Sequence, residues 1–361
     1  MRIMILANND IGLYKFRKEL IEKLLENNEV IISLPQGDYI KEFKSMGCEY
    51  VPCDILERRG TNFVKELKLM YWYRKLLKTY SPNIVFTYTI KPNIYGGIAC
   101  AFLKIPYVVN ITGLGTAVEN PGLMQFVTVN LYKYGLRKAQ KVFFQNSENK
   151  EFMLKKGVVK GNYDVLPGSG VNLDDYAVTE YPNGDTVDFV FVSRIMKEKG
   201  IDQYLDAAKT IKSKYPETRF HVCGFCEENY EEKLKAYEKE GLIIYHGLVK
   251  DMRTMYSHMS CVVHPTYYPE GISNVLLEAS ASGRPIITTD RSGCREVIDD
   301  GVNGYMIPQK DSKALIEAID KFIQLDYESK KAMGIAGRIK VEKEFNRQIV
   351  IEKYLAEMKN I

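Results

Sequence analysis

Residues 261–279 read CVVHPTYYPEGISNVLLEA. The mainly apolar residues 261–264 are typical of a buried strand, and the segment from residue 274 onward has helical spacing. Between them, Pro269 and Gly271 indicate a loop. A glycine that opens a helix leaves backbone N–H groups free at the positive end of the helix dipole, and such groups bind anions. The stretch therefore predicts a strand–loop–helix unit of an α/β sheet, with a ligand beyond the carboxyl end of the strand.

The same alternation of short apolar runs and longer amphipathic segments extends over most of the chain. Strands are predicted at residues 2–6, 29–34, 50–52, 84–87, 107–111, 141–145, 188–193, 219–223, 242–245, 260–264 and 285–289. Helices are predicted at residues 14–26, 40–46, 62–80, 93–103, 128–138, 201–214, 230–239 and 347–359, with further helices between and after the last three strands. This order indicates parallel strands joined by crossover helices on both faces, which is a doubly wound α/β fold.

The chain has 361 residues, more than one hydrophobic core usually supports, so two domains are expected. The α/β pattern pauses over the polar residues 171–187, which we interpret as a linker, and then begins again. The predicted domains are residues 1–175 and 176–345, followed by a closing helix at 346–361. Two such halves with a cleft between them suit a transfer reaction with two substrates.

Composition excludes several classes of protein. With 45% hydrophobic and 27% charged residues, the chain is neither disordered nor fibrous. Seven scattered cysteines argue against a disulfide framework, and the single C-x-x-C pair, Cys223 and Cys226, lacks the second ligand pair of a structural zinc site. The apolar run at residues 1–7 is too short for a signal peptide, and no stretch is long enough to span a bilayer, so we expect a cytoplasmic protein.

Charge is distributed unevenly along the chain. Residues 1–170 contain 24 Lys and Arg against 15 Asp and Glu, whereas the remainder contains 26 against 31. The predicted helix at 62–80 mixes aromatic and basic residues and follows Arg58 and Arg59, as an interfacial helix would. A crossover helix with a basic outer face explains the same pattern and is favoured, because the fold requires helices there. Peripheral contact with the inner face of the plasma membrane stays open, whereas nucleic-acid binding is disfavoured because only one half is basic.

A second candidate site lies at residues 191–200, which read FVSRIMKEKG. A strand ends there in a loop that carries Arg194, Lys197 and Lys199. Arginine offers a planar fork and lysine a compact charge, so together they can clamp a diphosphate without a metal ion. The alternative is a solvated basic loop.

Two carboxylates complete the candidate chemistry. At 1.5 Å per residue, Glu270 and Glu278 lie about 12 Å apart along a helix, close to the span from the hexose to the ribose of a nucleotide-sugar. Glu270 can accept hydrogen bonds from sugar hydroxyls and Glu278 from ribose hydroxyls. The alternative is a capping acid and an ordinary exposed helix carboxylate.

These two sites together resemble glycosyltransferase family 4. Its members show an Arg and a Lys five residues apart, and then two Glu residues separated by seven others, as in Arg194 with Lys199 and Glu270 with Glu278. The resemblance implies the GT-B fold, an α/β fold of two Rossmann-like doubly wound domains that face a central cleft. It implies that the first domain binds the acceptor, that the second binds the nucleotide-sugar, and that the closing helix packs back toward the first domain.

The resemblance also implies site residues. Arg194 and Lys199 would hold the donor diphosphate, Glu278 the ribose and Glu270 the sugar, with Arg194, Lys199 and Glu270 as the catalytic set. The base would lie near Leu248 and Val249. The remaining expected donor contacts in this half are the backbone amides of Gly271, Ile272, Ser273 and Asn274.

The N-terminal half matches the family less closely. Gly12 stands where members often have a Gly-rich loop, and Thr112, before Gly113, stands where many have a His. This form, with YTIKPNIYG at residues 88–96, looks like a subgroup that builds capsule, O-antigen and other lipid-linked oligosaccharides, including N-acetylgalactosaminyl- and galactosyltransferases. Gly12, Thr112 and Gly113 are therefore expected donor contacts. The expected acceptor contacts are Arg17, Lys91 and Asn93.

The expected activity is retaining, metal-independent transfer of a hexose or N-acetylhexosamine to a polyprenyl-diphosphate-linked or other glycan acceptor, in capsule or lipopolysaccharide synthesis. UDP-GalNAc and UDP-Gal are the first donors to consider, by family habit. No cofactor or metal is expected, because the nucleotide-sugar is a substrate and the sequence has no Asp-x-Asp. Two alternatives stay open: a sugar-nucleotide epimerase, and a non-catalytic partner subunit of a glycosyltransferase complex.

Overall fold

The computed structural model describes residues 1–57, 62–119, 121–184 and 186–359. The chain forms two compact units. The first contains Met1–Ser169 and Gln348–Ile361, and the second contains Gly170–Arg347. The unit boundary lies six residues before the predicted position, because the segment that follows residue 169 packs on the second unit.

The first unit is built on a seven-stranded parallel sheet. Its strands are β1 (Arg2–Leu6), β2 (Glu29–Leu34), β3 (Glu49–Pro52), β4 (Ile84–Tyr88), β5 (Tyr107–Ile111), β6 (Lys141–Phe144) and β7 (Tyr163–Val165). They lie in the order β3-β2-β1-β4-β5-β6-β7. The order reverses at β1 and β4, which makes the carboxyl ends of these two strands the switch point of the sheet.

Helices cover both faces of this sheet. They are α1 (Asp10–Leu25), α2 (Ile40–Met46), α3 (Phe63–Tyr80), α4 (Gly97–Leu103), α5 (Thr116–Glu119), α6 (Leu123–Leu136) and α7 (Ser147–Lys155). Side chains of a strand alternate between faces, so Met4 and Leu6 of β1 enter one core while Ile3 and Ile5 enter the other. Burial on both faces explains why these strands read as continuous apolar runs.

The second unit has a six-stranded parallel sheet in the order β10-β9-β8-β11-β12-β13. The strands are β8 (Asp188–Val192), β9 (Arg219–Cys223), β10 (Ile244–Gly247), β11 (Cys261–His264), β12 (Ile286–Thr289) and β13 (Gly304–Ile307). The helices are α8 (Ile201–Lys214), α9 (Glu231–Lys239), α10 (Met252–His258), α11 (Asn274–Ala281), α12 (Ser312–Ile323) and α13 (Tyr327–Glu344). Here the strand order reverses at β8 and β11.

The closing helix α14 (Arg347–Met358) is part of the first unit. Its Val350, Ile351 and Tyr354 are buried in the core that also contains β1 and β2. The Tyr354 hydroxyl accepts a hydrogen bond of 2.7 Å from the Asn110 side chain. The C-terminal residues therefore complete a core whose strands lie more than 200 positions earlier in the chain.

Residues of the predicted linker are anchored to the second unit. The described residues of the linker, 171–184 and 186–187, form neither a helix nor a long strand, yet the Val171 amide donates to the Phe345 carbonyl and Tyr181 is buried, with its hydroxyl bonded to the Ser260 carbonyl. The polar composition of residues 171–187 gave no indication that Val171 and Tyr181 would be anchored in this way.

Other differences from the predicted elements are local. The helix predicted at 93–103 begins as one π-helical turn, Pro92–Gly96, before α4. Strands β7 and β13 and helices α5 and α7 are additional. All seven cysteines are unbridged, and Cys223 is a buried strand-end residue. Among the described residues, no helix is both long enough and apolar enough to cross a membrane.

Candidate functional site

The switch point of the second sheet gathers the charged residues singled out in the sequence. β8 runs into the loop that carries Arg194 and Lys199, and β11 runs into the loop that carries Glu270. Because β8 and β11 are neighbours in the sheet, these two loops lie side by side at its carboxyl edge.

Gly200 fixes how closely the two loops approach. Its φ of +81° is in the left-handed region, and a Cβ there would lie 2.2 Å from the Pro265 carbonyl oxygen. Only glycine tolerates both conditions. The glycine thus ends the one-turn 3₁₀ helix Lys197–Lys199 and starts α8.

Lys199 and Glu270 form a nearly buried ion pair in which the Lys199 ammonium donates to the Glu270 carboxylate. His264, at the end of β11, lies beneath them, with its Nε2 3.9 Å from Glu270 Oε1. His264 is fully enclosed, and burial lowers its pKa, so the ring is neutral at physiological pH. The sequence suggested the lysine and the glutamate separately; the fold pairs them.

The Glu270 carboxylate is held in its charged form. Burial alone would raise its pKa, but the charge of Lys199 and the hydrogen bond that its ammonium donates, with the nearby His264 ring contributing in the same direction, more than offset burial, so the pKa lies well below its usual value. A permanently ionised carboxylate accepts hydrogen bonds and does not act as a proton donor. This suits Glu270 for holding sugar hydroxyls.

Arg194 occupies the other side of the same loop pair. Its guanidinium donates to the Glu227 carboxylate and lies over the Tyr268 ring, 5.3 Å from the ring centroid. The Lys199 ammonium lies 4.8 Å from the centroid of the same ring. A guanidinium has five N–H donors and an ammonium three, so both cations can donate to a phosphate while they keep these contacts.

The loop after β11 leads into the N-terminus of α11. Ser273 precedes the helix, but its buried hydroxyl makes no capping bond to the helix and has no hydrogen-bond partner. The Ser273 amide donates to the Gly293 carbonyl, which positions Gly271 against Gly293. The Ser273 amide is committed to this bond, so the structure does not support it as a donor contact. The start of α11 has no side-chain cap, and the positive end of its dipole attracts an anion; the other amide contacts stay a prediction.

Glu278 lies one turn inside α11. The Tyr256 hydroxyl donates to it over 3.3 Å, and Tyr256 is fully buried. The predicted spacing between Glu270 and Glu278 needs correction, because α11 begins only at Asn274 and the helical rise therefore does not apply to residues 270–273.

The residues expected near the base follow β10. Leu248 is exposed beyond the end of this strand, whereas Val249 is half-buried against the core of the second unit. Of the two, Leu248 has the free apolar surface that an aromatic base would cover.

In the first unit, Gly12 occupies the first turn of α1, where its amide donates to the Asn9 side chain over 2.7 Å. This amide is committed to the helix cap, so the structure does not support its use as a donor contact. Thr112 and Gly113 directly follow β5 and are half-buried at the carboxyl edge of the sheet.

The three expected acceptor contacts differ in accessibility. Asn93 is 0% exposed and its side-chain amide is bonded to Thr87 and to the Asn110 carbonyl, so the structure does not support an acceptor contact there. Arg17 is also buried, over the Tyr88 ring. Lys91 is half-buried and donates to Glu66 over 2.6 Å.

The matched domain families identify the chain. The glycosyl transferases group 1 family matches residues 179–340, and the glycosyl transferase 4-like family matches residues 2–146. The chain is a glycosyltransferase of these families. The expected family and enzyme class are therefore confirmed, and the switch point of the second sheet lies within the group 1 region.

Curated relatives of this glycosyltransferase are themselves named as glycosyltransferases, two of them for undecaprenyl-diphosphate-linked substrates and one for capsular polysaccharide biosynthesis. One is the N,N'-diacetylbacillosaminyl-diphospho-undecaprenol α-1,3-N-acetylgalactosaminyltransferase of Campylobacter jejuni, 26% identical over 98% of this chain and 97% of its own. The capsular polysaccharide biosynthesis glycosyltransferase CapM of Staphylococcus aureus is 26% identical over 97% and 94%. The UDP-Gal:α-D-GlcNAc-diphosphoundecaprenol α-1,3-galactosyltransferase of Escherichia coli is 24% identical over 82% and 81%.

Solved structures share the fold of this glycosyltransferase. HepE of Anabaena, crystallised with UDP and glucose, has a TM-score of 0.82 at 16% identity, with 100% of both chains covered. A glycosyltransferase of Rickettsia africae has a TM-score of 0.81 at 18% identity, over 99% of this chain and 98% of its own. The GT-B prediction, with two Rossmann-like domains, is confirmed.

Sequence reasoning missed three residues of the site in this glycosyltransferase. Tyr268 could have been predicted from the sequence, since an aromatic side chain two positions before a candidate sugar-binding glutamate is well placed to line the same site. His264 could also have been predicted, as a histidine at the end of an apolar strand. Glu227 lies in a loop after β9 and had no signal, because its pairing with Arg194 depends on the neighbouring strands.

Proposed function

We propose that the protein transfers a hexose or an N-acetylhexosamine from a UDP-sugar to a lipid-diphosphate-linked glycan. Transfer would retain the anomeric configuration and need no metal ion. The observation that carries the proposal is the convergence of Arg194 and Lys199 on Tyr268, next to the uncapped start of α11.

This arrangement supports binding of a diphosphate. Two cations and the positive end of the α11 dipole together supply the positive charge that a leaving diphosphate requires. In many other enzymes a divalent metal ion provides this charge. The positive groups of this edge, together with the lack of an Asp-x-Asp in the sequence, support a metal-independent reaction.

The chemical step follows from these groups. The acceptor hydroxyl forms a bond to the anomeric carbon on the face from which the diphosphate departs, while the bond from that carbon to the diphosphate oxygen breaks. The departing oxygen takes the hydroxyl proton, so no separate base is required. Arg194, Lys199 and the amides of α11 stabilise the charge on the diphosphate, and Glu270 orients the sugar hydroxyls.

The relatives support the donor, the acceptor and the stereochemistry. Two are named for undecaprenyl-diphosphate-linked substrates and α-1,3 products, and one of these names specifies UDP-Gal. An α product from an α-linked UDP-sugar requires retention. We therefore propose that the protein works at the inner face of the plasma membrane, with UDP-GalNAc and UDP-Gal as the first donors to test.

The experiment is a donor panel in EDTA. UDP-GalNAc, UDP-Gal, UDP-Glc, UDP-GlcNAc and GDP-Man are each incubated with the protein, with and without a short-chain polyprenyl-diphosphate N-acetylhexosamine. Nucleotide release is followed, and the anomeric configuration of the product is read by NMR. The proposal expects acceptor-dependent UDP release with one donor and an α product.

Four outcomes would overturn the proposal or part of it. Turnover that returns only when Mg²⁺ or Mn²⁺ is restored would overturn metal independence. A β product would overturn retention. Formation of a new UDP-sugar without acceptor would identify an epimerase, and donor binding with no turnover across several acceptors would identify a non-catalytic subunit.

A further inference from the structure

Three helices of the first unit expose an unusual amount of apolar surface. Large apolar side chains on α3, α4 and α6 lie in solvent, and the most open are 61–78% exposed. We refer to them as the α3–α4–α6 surface. Its ten members are Phe63, Val64, Leu67, Tyr71, Phe102, Leu123, Met124, Phe126, Val127 and Tyr134.

These side chains are not needed for the core. The other face of α3 buries Leu69, Tyr73 and Leu77 against the sheet, which meets the packing requirement of a crossover helix. Helix α3 therefore has two apolar faces, one packed against the sheet and one exposed to water. Single exposed apolar residues are ordinary, but a group of this size indicates an interaction surface.

The helices lie next to one another. α4 contacts both α3 and α6, so the three outer faces belong to one side of the unit. Arg74 of α3 lies over the Phe102 ring of α4, with 4.1 Å between the guanidinium carbon and the ring centroid. A groove on α3 is lined by Val64, Leu67 and Tyr71, with lysines at its margin.

The charged residues of these three helices are almost all basic, although Lys65 is paired with Glu57 of the segment before α3. The exposed basic residues of α3 are Lys65, Lys68, Arg74, Lys75 and Lys78. Across α3, α4 and α6 the single acidic residue is Glu66, which is already bonded to Lys91. Apolar and aromatic side chains mixed with lysine and arginine suit the boundary between lipid headgroups and acyl chains.

We propose that the α3–α4–α6 surface docks on an anionic lipid bilayer. The apolar side chains would enter the headgroup region and the surrounding cations would meet lipid phosphates. This proposal rests on the proposed function, because a lipid-linked acceptor requires the enzyme at the membrane. It assigns the contact to three helices rather than to the sequence around Arg58 and Arg59, which lies outside the described residues.

Charge complementarity decides between a bilayer and a second copy of the chain. A symmetric dimer through this surface would bring the lysines of α3 toward the same lysines of the partner copy, and like charges repel. An anionic bilayer offers the opposite charge over an area of any size. The lipid surface is therefore the occupant that fits both the apolar and the basic residues.

The test is co-sedimentation with vesicles that contain neither donor nor acceptor. The full chain is mixed with phosphatidylcholine vesicles that contain or lack 40% phosphatidylglycerol, a composition of about two in five anionic lipids that gives a strongly negative surface. Binding is expected to the anionic vesicles and should weaken with added salt. Two variants, Leu123→Ser/Phe126→Ser and Lys68→Glu/Lys75→Glu, should each bind at least about tenfold more weakly.

The matched control is Val302→Ser/Ile339→Ser, which removes two comparably exposed apolar side chains from the second unit. It should bind vesicles as the wild type does. Equal binding by the wild type and both surface variants would overturn the proposal. So would a concentration-dependent dimer that Leu123→Ser/Phe126→Ser abolishes while vesicle binding is absent, since it would assign the surface to a second copy.

The membrane-docking proposal and the proposed function can be tested independently of each other. Turnover with a short-chain, water-soluble acceptor does not require a membrane, so the surface variants should keep wild-type turnover with that acceptor. If the wild type turns over the soluble acceptor but does not bind anionic vesicles, docking alone is overturned. Normal vesicle binding without turnover on any acceptor would overturn the transferase proposal alone.

Discussion

The two sheets place different chemistry at the same topological position. Beyond β8 and β11, the second unit collects Arg194, Lys199 and Glu270 around one aromatic ring, within reach of an uncapped helix. Beyond β1 and β4, the first unit has enclosed polar groups such as Asn93, and a strained backbone at Thr89, whose φ is +72°.

Under the proposed function, this difference lets one fold serve two substrates. A donor diphosphate has a fixed, high charge, so its site needs cations and amides that are positioned before it arrives. Thr89 is β-branched, and positive φ is costly for such a residue, so its backbone is held by the surrounding structure. The π-helical turn Pro92–Gly96 follows directly, and such turns are frequent at functional sites. The carboxyl edge of the first sheet, at Thr89 and Pro92–Gly96, is therefore distinguished by its backbone conformation, and we call it the shaped edge. The carboxyl edge of the second sheet, at Arg194, Lys199 and Glu270, is distinguished by its charged side chains, and we call it the charged edge.

The largest expected effect comes from breaking the charged edge at Lys199. Lys199→Met should lower kcat about 10²–10³-fold, because a positive group next to the leaving diphosphate is lost. It should also lower the free energy of unfolding by about 3 kcal/mol, because Glu270 keeps a nearly buried charge without its partner. Steady-state kinetics and urea unfolding measure the two effects.

The matched control for that prediction is the double variant Lys199→Met/Glu270→Gln. It removes both charges, so it should recover most of the stability while turnover stays low. Turnover within twofold of wild type in Lys199→Met would contradict a role for Lys199 in charge stabilisation.

A smaller effect is expected at Arg194, which tests whether shape matters as well as charge. Arg194→Lys keeps the positive charge but loses the planar fork over Tyr268. We expect kcat/KM for the UDP-sugar to fall roughly tenfold, with little change in unfolding. Tyr268→Leu is the companion variant, since it removes the ring and leaves the guanidinium. Unchanged kcat/KM in both would show that the ring and the fork have no part in donor binding.

Acid pH should weaken the charged edge specifically. Because the pKa of Glu270 is lower in the folded than in the unfolded chain, its ionisation stabilises the fold at neutral pH, and this contribution decreases as the pH falls below about 4.5. Urea unfolding from pH 7 to pH 3 should therefore show a steeper loss of stability for the wild type than for Glu270→Gln. Parallel curves would mean that the Glu270 pKa is the same in both states.

The smallest expected effect concerns the shaped edge. Thr89→Gly should raise the free energy of unfolding by about 1 kcal/mol, because glycine adopts positive φ without strain. It should also raise KM for the acceptor if the strained turn shapes that site. The control is Lys104→Gly, which relieves a φ of +58° at the exposed end of α4 and should stabilise without changing the acceptor KM. A Thr89→Gly protein less stable than the wild type would show that the turn is not strained.

Much of this molecule is determined by the sequence alone. Apolar periodicity predicted the parallel strands and most of the helices, because strands buried on both faces have to be continuously apolar. Spacing also brought out Arg194, Lys199, Glu270 and Glu278, since these charged types stand at the loops and helix start that follow buried strands. Short elements such as α5 and β7 escaped prediction, because a few residues hold too little periodicity.

The tertiary structure determined which charged and aromatic side chains of the site contact one another. That Lys199 faces Glu270, that Tyr268 lies under two cations and that Glu227 bonds Arg194 all depend on which strands are neighbours, and pairing across the sheet has no local signature. The same holds for Asn93, whose polar side chain suggested a ligand contact but is enclosed by bonds to β4 and β5. Sequence determines which groups exist and roughly where each strand ends. Only the packed sheet determines which of those groups reach one another and which reach solvent.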